Sequence, residues 1–282
     1  MEIKKAVITA AGRSQRALPL QTLVDRDGVP KTALAILVEE ARSAGIEEIA
    51  LMLAPGDHAA FAAAAGSHAP HLRFLEQTEP RGFGHAVLTA KEFTRDDSFL
   101  LFVGDHLYVT TGEVSCARQL VDVARAHHCA VSAVQATHES KLPYYGVVGG
   151  RRIPASAGLY DVTEVIEKPT PTDAEQRLIV PGLRTGHYLC FFGMHVLSPT
   201  IFDLLGEDAA AGGSFALSPA LARLAHRERY LAFEARGRRY DIGSRYGLLN
   251  AQLALGLHGR DQREILELIV DLLATRELDR PE

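Results

Sequence analysis

The stretch Ala6-Val7-Ile8-Thr9-Ala10-Ala11-Gly12-Arg13-Ser14-Gln15-Arg16 reads as a short buried strand that runs into a small-residue turn carrying two arginines. The chain beyond Arg16 repeats the same rhythm. Periodicity predicts a helix over 33–44, a strand over 49–53, a helix over 59–65 and a strand over 72–75. A helix over 86–93, a strand over 99–103, a helix over 114–127 and a strand over 130–135 continue it. Strands and helices alternating at this spacing build a parallel sheet covered on both faces. Ligands of such sheets lie at the carboxyl ends of the strands, so the loops after Thr9, Leu75 and Val103 are the places to look for chemistry.

After about residue 138 the rhythm changes. Strands are predicted over 144–149, 160–166 and 188–192, with little helix between them and with Gly149-Gly150, Pro169, Pro171 and Pro181-Gly182 as punctuation. This is an α+β portion added to the same sheet without a flexible linker. Helices over 245–257 and 262–275 close the chain. One domain over 1–255, divided near residue 137, and a helical extension over 256–282 are expected.

With 282 residues and 47% hydrophobic content, the chain can bury a substantial core. A net charge of −5 argues against nucleic acid as the main partner, because binding a phosphate backbone needs a basic field. Cys116, Cys129 and Cys190 lie far apart without metal-ligand spacing, which reads as buried thiols in a reducing compartment. The charged-then-apolar run Glu2-Ile3-Lys4-Lys5-Ala6-Val7-Ile8 is too short for a signal peptide, and no run of about 18 apolar residues occurs. No membrane association and a cytoplasmic location are expected.

Five short constellations could carry chemistry. The turn Ala10–Arg16 can bring backbone N–H groups and two positive charges to a phosphate; a plain strand-to-helix turn is the competing reading. It is neither a dinucleotide fingerprint nor a P-loop, since GxGxxG and Gly-Lys-Ser/Thr are both absent. In Glu76-Gln77-Thr78-Glu79-Pro80-Arg81-Gly82-Phe83-Gly84-His85-Ala86, the Gln77 carboxamide can read the edge of a base. His85 reads as a cap or core residue there. Phe102-Val103-Gly104-Asp105-His106 puts a carboxylate at the end of an apolar strand, where it can hold Mg²⁺ against phosphate oxygens. His106 finds no second zinc ligand at workable spacing. Glu164-Val165-Ile166-Glu167-Lys168-Pro169 ends a strand with groups suited to sugar hydroxyls and a phosphate, or is an ordinary surface strand end. Tyr240-Asp241-Ile242-Gly243-Ser244 offers a further carboxylate.

Taken in order, these five resemble the sugar-1-phosphate nucleotidylyltransferases, and most closely the bacterial UTP–glucose-1-phosphate uridylyltransferases. The resemblance runs from about Lys4 to about Leu253. It is sharpest at Gly82-Phe83-Gly84-His85-Ala86-Val87, Val103-Gly104-Asp105, Tyr145-Gly146-Val147-Val148, Glu167-Lys168-Pro169 and Asp241-Ile242-Gly243.

The resemblance implies a Rossmann-like α/β fold with a mixed, mainly parallel sheet, nucleotide-binding over about 1–137 and sugar-phosphate-binding over about 138–255. It implies that Ala11, Gly12 and Arg13 grip a nucleoside triphosphate, with Arg16 neutralising it, and that Gln77 and Gly82 contact uracil. Asp105 and Asp241 would hold Mg²⁺. Gly146 and Glu167 would bind glucose hydroxyls, Lys168 the sugar phosphate, and Gly186 would line the same pocket. An anionic sugar-phosphate oxygen would attack the α-phosphorus in line and expel pyrophosphate, with catalysis by positioning and charge neutralisation. Self-association as a dimer or tetramer, through the helices from Arg245 onward, is also implied.

The chain departs from the family where Ser14-Gln15 replace the Gly-Thr of a Gly-x-Gly-Thr-Arg pattern and where the segment 17–24 is shortened. Arg16 matches either the family arginine or the family lysine, and Lys31, after Pro30, comes too late for an easy match. Three readings therefore stand: uridylyl transfer to glucose 1-phosphate, transfer of another base to another sugar phosphate, and a non-catalytic nucleotide-sugar-binding relative.

Overall fold

Along β1 (Ile3–Thr9) the side chains alternate between two cores: Ala6 and Ile8 enter one, Val7 the other. A strand buried on both faces in this way sits in the middle of a covered sheet. The computed structural model describes residues 1–12, 16–79, 81–154, 156–210 and 215–278, and shows β1 at that position.

The chain leaves β1 for a hairpin, β2 (Thr22–Val24) and β3 (Pro30–Thr32), then enters α1 (Ala33–Ser43) with Thr32 as N-cap. β4 (Glu48–Leu53), α2 (His58–Ala65) and β5 (Leu72–Glu76) come next, then α3 (Phe83–Thr89), α4 (Lys91–Thr94) and β6 (Ser98–Val103). β7 (His106–Thr110), α5 (Cys116–His127), β8 (Ala130–His138), β9 (Gly146–Arg152), β10 (Leu159–Glu167) and α6 (Pro171–Arg177) make up the middle of the chain. β11 (His187–Leu197), α7 (Thr200–Ala210), α8 (Leu217–Arg227), β12 (Tyr230–Glu234), β13 (Gly237–Asp241), α9 (Gly247–Leu257) and α10 (Gln262–Leu278) complete it.

Nine strands form one sheet in the order β5-β4-β1-β6-β11-β8-β12-β10-β9. β5, β4, β1 and β6 are mutually parallel, as are β8 and β12. Among the described strands of this sheet, β10 and β11 run against the rest. One core lies under α1, α2, α5 and α9, with Leu37, Phe61, Leu120 and Leu255 buried in it. The other lies under α3, α7 and α8, with Val87, Phe202 and Leu221. Each such fully buried side chain contributes roughly 1.5–3 kcal/mol. A small third core, Leu142, Val147, Leu178 and Cys190, supports the far end of β9 and β11. Cys116, Cys129 and Cys190 are buried and free.

β11 changes neighbours part-way along. Its first residues pair with β9, its last with β6, and the break falls between Phe191 and His195. Gly193 makes the bend, with φ +84. A Cβ there would stand 2.6 Å from Val103 Cγ2, and the Gly193 carbonyl accepts a 2.7 Å bond from the Tyr108 hydroxyl. At the bend Gly193 lies directly against Val103, the last residue of β6.

The structure differs from the sequence expectations in several places. The helix expected over 86–93 is two helices meeting at Ala90. The strand β7 lies where a loop was expected, and it pairs with β13 outside the main sheet. α6 lies between the predicted strands, and α7 and α8 lie beyond them where no element was predicted; Leu217, Ala220, Leu221 and Leu224 of α8 recur at helical spacing on its buried face. α10 packs on α9 so closely that a Cβ on Gly256 would meet Ile265 Cγ1 at 2.8 Å. Among the described residues, no helix is long and apolar enough to cross a membrane.

Candidate active site: a two-lobed cleft above the parallel strands

Gly104 ends β6 so close to β1 that its N–H donates to Thr9 O at 2.9 Å, and a Cβ would stand 2.5 Å from that oxygen. Only glycine fits. The tight junction opens a cavity of about 610 Å³ above the strand ends, walled by Ala11, Gly12, Gln77, Gly82, Gly104 and Asp105. A second cavity, about 330 Å³, is walled by Gly146, Glu167, Phe191, Gly193, His195 and Ser218. Gly82, Phe83, Val103 and His106 belong to both walls. The two spaces are thus lobes of one cleft.

In the first lobe, Gln77 is 6% exposed and its amide nitrogen is committed to Gly82 O (3.2 Å) and His85 Nδ1 (3.0 Å). Its Oε1, without a partner among the described residues, is left as an acceptor. His85 therefore orients Gln77, a role beyond the cap or core position expected for it. Gly82, with φ +116, and Gly84 lie against the Phe215 carbonyl, which accepts the Gly84 N–H at 2.7 Å. That contact fixes the loop entering α3.

The cationic side chains fall less neatly. Arg13 lies outside the described residues, as do Ser14 and Gln15. Arg16 donates its backbone N–H to Gly12 O (2.8 Å), but its guanidinium reaches Asp57 Oδ2 at 3.6 Å and does not line the lobe. Lys31 is held by Asp25 (2.7 Å) and Glu39 (2.8 Å). Burial disfavours its ammonium, yet the two carboxylates outweigh that and its pKa is raised. Lys31 thus braces the hairpin, with both carboxylates on its ammonium. Among the described residues, no lysine or arginine lines either lobe.

Asp105 and His106 line the first lobe and His106 the second as well; their ligand atoms and those of Asp241, behind them, all lie within 4.8 Å of one another. Antiparallel pairing of β7 with β13 sets Asp241 opposite His106, and the Ile242 N–H donates to Asp105 O at 2.9 Å. His106 Nδ1 is 2.8 Å from Asp105 Oδ1, and Asp241 Oδ1 accepts the Gly243 N–H at 2.9 Å. The Oδ2 atoms of both aspartates have no partner among the described residues. Burial alone would push the Asp105 carboxyl up, but its bond to His106 and the charge of that ring hold it below the ordinary value. Two carboxyl groups, each with a free oxygen, fit a hard divalent cation such as Mg²⁺. No second ligand stands near His106 in the sequence; strand pairing brings Asp241 beside it.

In the second lobe, Glu167 Oε2 accepts from Ser218 Oγ at 2.5 Å. A Cβ on Gly146 would lie 2.7 Å from Ser218 Oγ and 3.0 Å from Glu167 Oε2, so glycine keeps this pair open to the lobe. Lys168 turns through a left-handed backbone (φ 48) and donates its N–H to Tyr145 O at 3.1 Å. Its ammonium stands 3.9 Å from Glu167 Oε1, at the rim and more than half exposed. Arg239, buried, stacks 3.8 Å over the Tyr145 ring and braces this wall, a contact no sequence signal announced.

Gly186 requires a correction. The β9–β11 register puts Leu189 opposite Val148 and Cys190 opposite Val147, so Gly146 faces Phe191. Gly186 lies five residues back along the chain, about 16 Å away at extended spacing. It touches the 139 region through its carbonyl, which accepts the Glu139 N–H. The glycines in the wall are Gly82, Gly146 and Gly193, and Gly186 is not among them.

A profile of the nucleotidyl transferase family matches residues 5–256, most of the chain. This chain belongs to that family. UTP–glucose-1-phosphate uridylyltransferase 2 of Streptococcus pyogenes serotype M3 is 29% identical to it, with 99% of both chains covered. UTP–glucose-1-phosphate uridylyltransferase of Streptococcus pneumoniae serotype 4 is 29% identical over 96% of both. Among solved structures, UDP-glucose pyrophosphorylase from Acinetobacter baumanii superposes with a TM-score of 0.74 at 26% identity, covering 96% of this chain and 100% of that one. A UDP-glucose pyrophosphorylase crystallised with UDP-glucose gives a TM-score of 0.74 at 24% identity, over 90% and 98%, and speaks for the fold. This nucleotidyl transferase is accordingly an enzyme with the α/β fold of the nucleotide-sugar-forming members, and the cleft lies at its strand ends.

Proposed function

We propose that this nucleotidyl transferase moves UMP from UTP to glucose 1-phosphate with Mg²⁺, forming UDP-glucose and releasing pyrophosphate. The observation that carries the reading is the Asp105–Asp241 pair gathered around His106, a residue shared by the walls of two connected lobes. One lobe suits a nucleotide and the other a sugar phosphate, with the acidic pair beside their shared wall, near where the α-phosphorus would sit.

The backbone at Ala11 and Gly12 cradles the triphosphate. Gln77 Oε1 accepts the imide N–H of uracil, which suits UTP. Arg16 gives up a half-exposed pair with Asp57, worth about 0–1 kcal/mol, to meet the triphosphate. Glu167 and Gly146 position the glucose, and Lys168 swings from the rim onto its phosphate. The attacking oxygen is already anionic, so the chain needs no general base. Asp105 and Asp241 would hold Mg²⁺, which would supply charge neutralisation at the phosphoryl oxygens.

Self-association is part of the proposal. Leu266, Leu268, Val270, Leu272 and Leu273 of α10 are 46–70% exposed, an apolar surface suited to a second copy; light scattering on the eluting protein would read the mass. Three buried free thiols suit a reducing cytoplasm.

The test is a panel of nucleoside triphosphates against sugar 1-phosphates, scored as phosphate after adding pyrophosphatase. UTP with glucose 1-phosphate should exceed every other pair, with loss of signal on chelation. Equal release without any sugar phosphate would contradict the reading.

A further inference from the structure

Behind the sugar lobe, three polar side chains that the proposed chemistry does not use form a chain across three strands. Ser132 of β8, His195 of β11 and Tyr230 of β12 are 0%, 3% and 2% exposed. Ser132 Oγ lies 2.5 Å from His195 Nδ1 and 2.5 Å from the Tyr230 hydroxyl. His195 and Ser132 are direct cross-strand partners. The imidazole also forms part of the lobe's wall, edge-on to Phe191 at 5.0 Å.

The protons in this chain can be placed by counting donors. Burial holds the His195 pKa down to about 3, so the ring is neutral and carries one N–H. If Nδ1 carried it, the ring would donate to Ser132. Either the serine or the tyrosine hydrogen would then face a dry core with no acceptor among the described residues. An unmet buried donor costs about 1–3 kcal/mol. One arrangement pairs every hydrogen inside the core: Tyr230 donates to Ser132, Ser132 donates to His195 Nδ1, and Nε2 carries the ring proton. Nε2 lies on the ring edge turned away from Ser132, has no partner among the described residues, and is left for the lobe.

We propose that His195, through Nε2–H, is a specificity-determining hydrogen-bond donor on the floor of the sugar lobe, selecting sugar 1-phosphates with an acceptor oxygen at the ring position that reaches it. The inference rests on the sugar-phosphate reading of that lobe. The donor is fixed: the serine holds the tautomer, the tyrosine holds the serine, and strand pairing holds all three. A sugar lacking the oxygen leaves a buried N–H unpaired, the circumstance in which hydrogen-bonding sites discriminate strongly. A neutral donor also has no charge with which to favour an acidic sugar over a hydroxylated one.

The test compares glucose 1-phosphate with each of its monodeoxy analogues, in the wild type and in His195→Phe. In the wild type one analogue should lose at least about tenfold in kcat/KM. In His195→Phe the penalty at that one position should fall to near unity, the other positions and the KM for UTP being unchanged. Ser132→Ala, which keeps the ring and frees its tautomer, should reduce the same penalty partly. It serves if the phenylalanine variant does not fold. Side-chain ¹⁵N NMR of the wild type should show a protonated Nε2 and a bare Nδ1, without titration between about pH 5 and pH 8. An Nδ1–H tautomer, or penalties that the substitutions leave unchanged or lower uniformly, would overturn the inference. Absence of turnover with every triphosphate and sugar 1-phosphate would instead strike the proposed function, and the NMR arm would still decide the tautomer.

Discussion

Asp105 and Asp241 meet because β7 and β13 pair antiparallel, which puts Asp241 opposite the residue after Asp105 and ties Ile242 N–H to the Asp105 carbonyl. Neither aspartate stabilises the core, and each keeps one oxygen free. Asp105→Asn and Asp241→Asn should each cut kcat by about 10³-fold or more, since charge neutralisation at a transferring phosphoryl group is a dominant catalytic contribution. Melting temperatures should stay close to the wild type's. Steady-state pyrophosphate release and a thermal melt on the same samples check both halves.

Gly146→Ala is expected to act on the sugar side alone. The added methyl would crowd Ser218 Oγ, Glu167 Oε2 and the Phe191 ring, at a strain cost of about 1–3 kcal/mol. The KM for the sugar phosphate should rise about tenfold or more, with the KM for UTP unchanged. Initial-rate measurements with each substrate varied in turn separate the two.

Lys168→Ala should also raise the sugar-phosphate KM, by about tenfold, by removing a point charge from the rim. Gly186→Ala should leave that KM alone, because nothing nearer than Glu139, at 3.8 Å, meets a Cβ there. Its cost should appear as lost stability, from a backbone at φ +71 that suits glycine. A sugar-phosphate KM unmoved by Lys168→Ala would remove that lysine from the site.

Glu40 gives a pH signature unrelated to catalysis. Its side chain accepts the Ala117 N–H at 2.8 Å at the start of α5, and burial raises its pKa from 4.5 to about 7. A carboxyl whose folded pKa exceeds its unfolded one binds more protons when folded. Its contribution to stability is therefore full below about pH 4.5 and is lost as pH rises through 7. The Glu40→Gln variant should flatten this slope by about 1–2 kcal/mol. Urea titrations of both proteins at pH 5 and pH 8 would show it.

Much of the fold could be read in the residues. The runs around Val7, Leu51 and Leu101 are short and apolar, and the helices between them have clear periodicity, so the parallel half was legible. The bend of β11 was not foreseen, although a glycine inside the apolar run 189–197 is the ordinary mark of a bulge; choosing Gly186 overlooked it. β7 comes so directly after Asp105 that the segment looked like a loop. Its pairing with β13 is long-range and leaves no local trace, so the convergence of Asp105 and Asp241 came only from family resemblance. The His195 chain was invisible for the same reason: three strands distant in sequence supply one residue each.

Metal binding at the aspartate pair is the most direct test of the central claim. Mn²⁺, titrated in place of Mg²⁺ and monitored by its paramagnetic resonance in the presence of UTP, should bind the wild-type enzyme at one site per chain. Affinity should fall about tenfold or more in both Asp105→Asn and Asp241→Asn. Equal Mn²⁺ affinity in the wild type and both variants would show that the pair does not hold the metal, and the proposed chemistry would fail there.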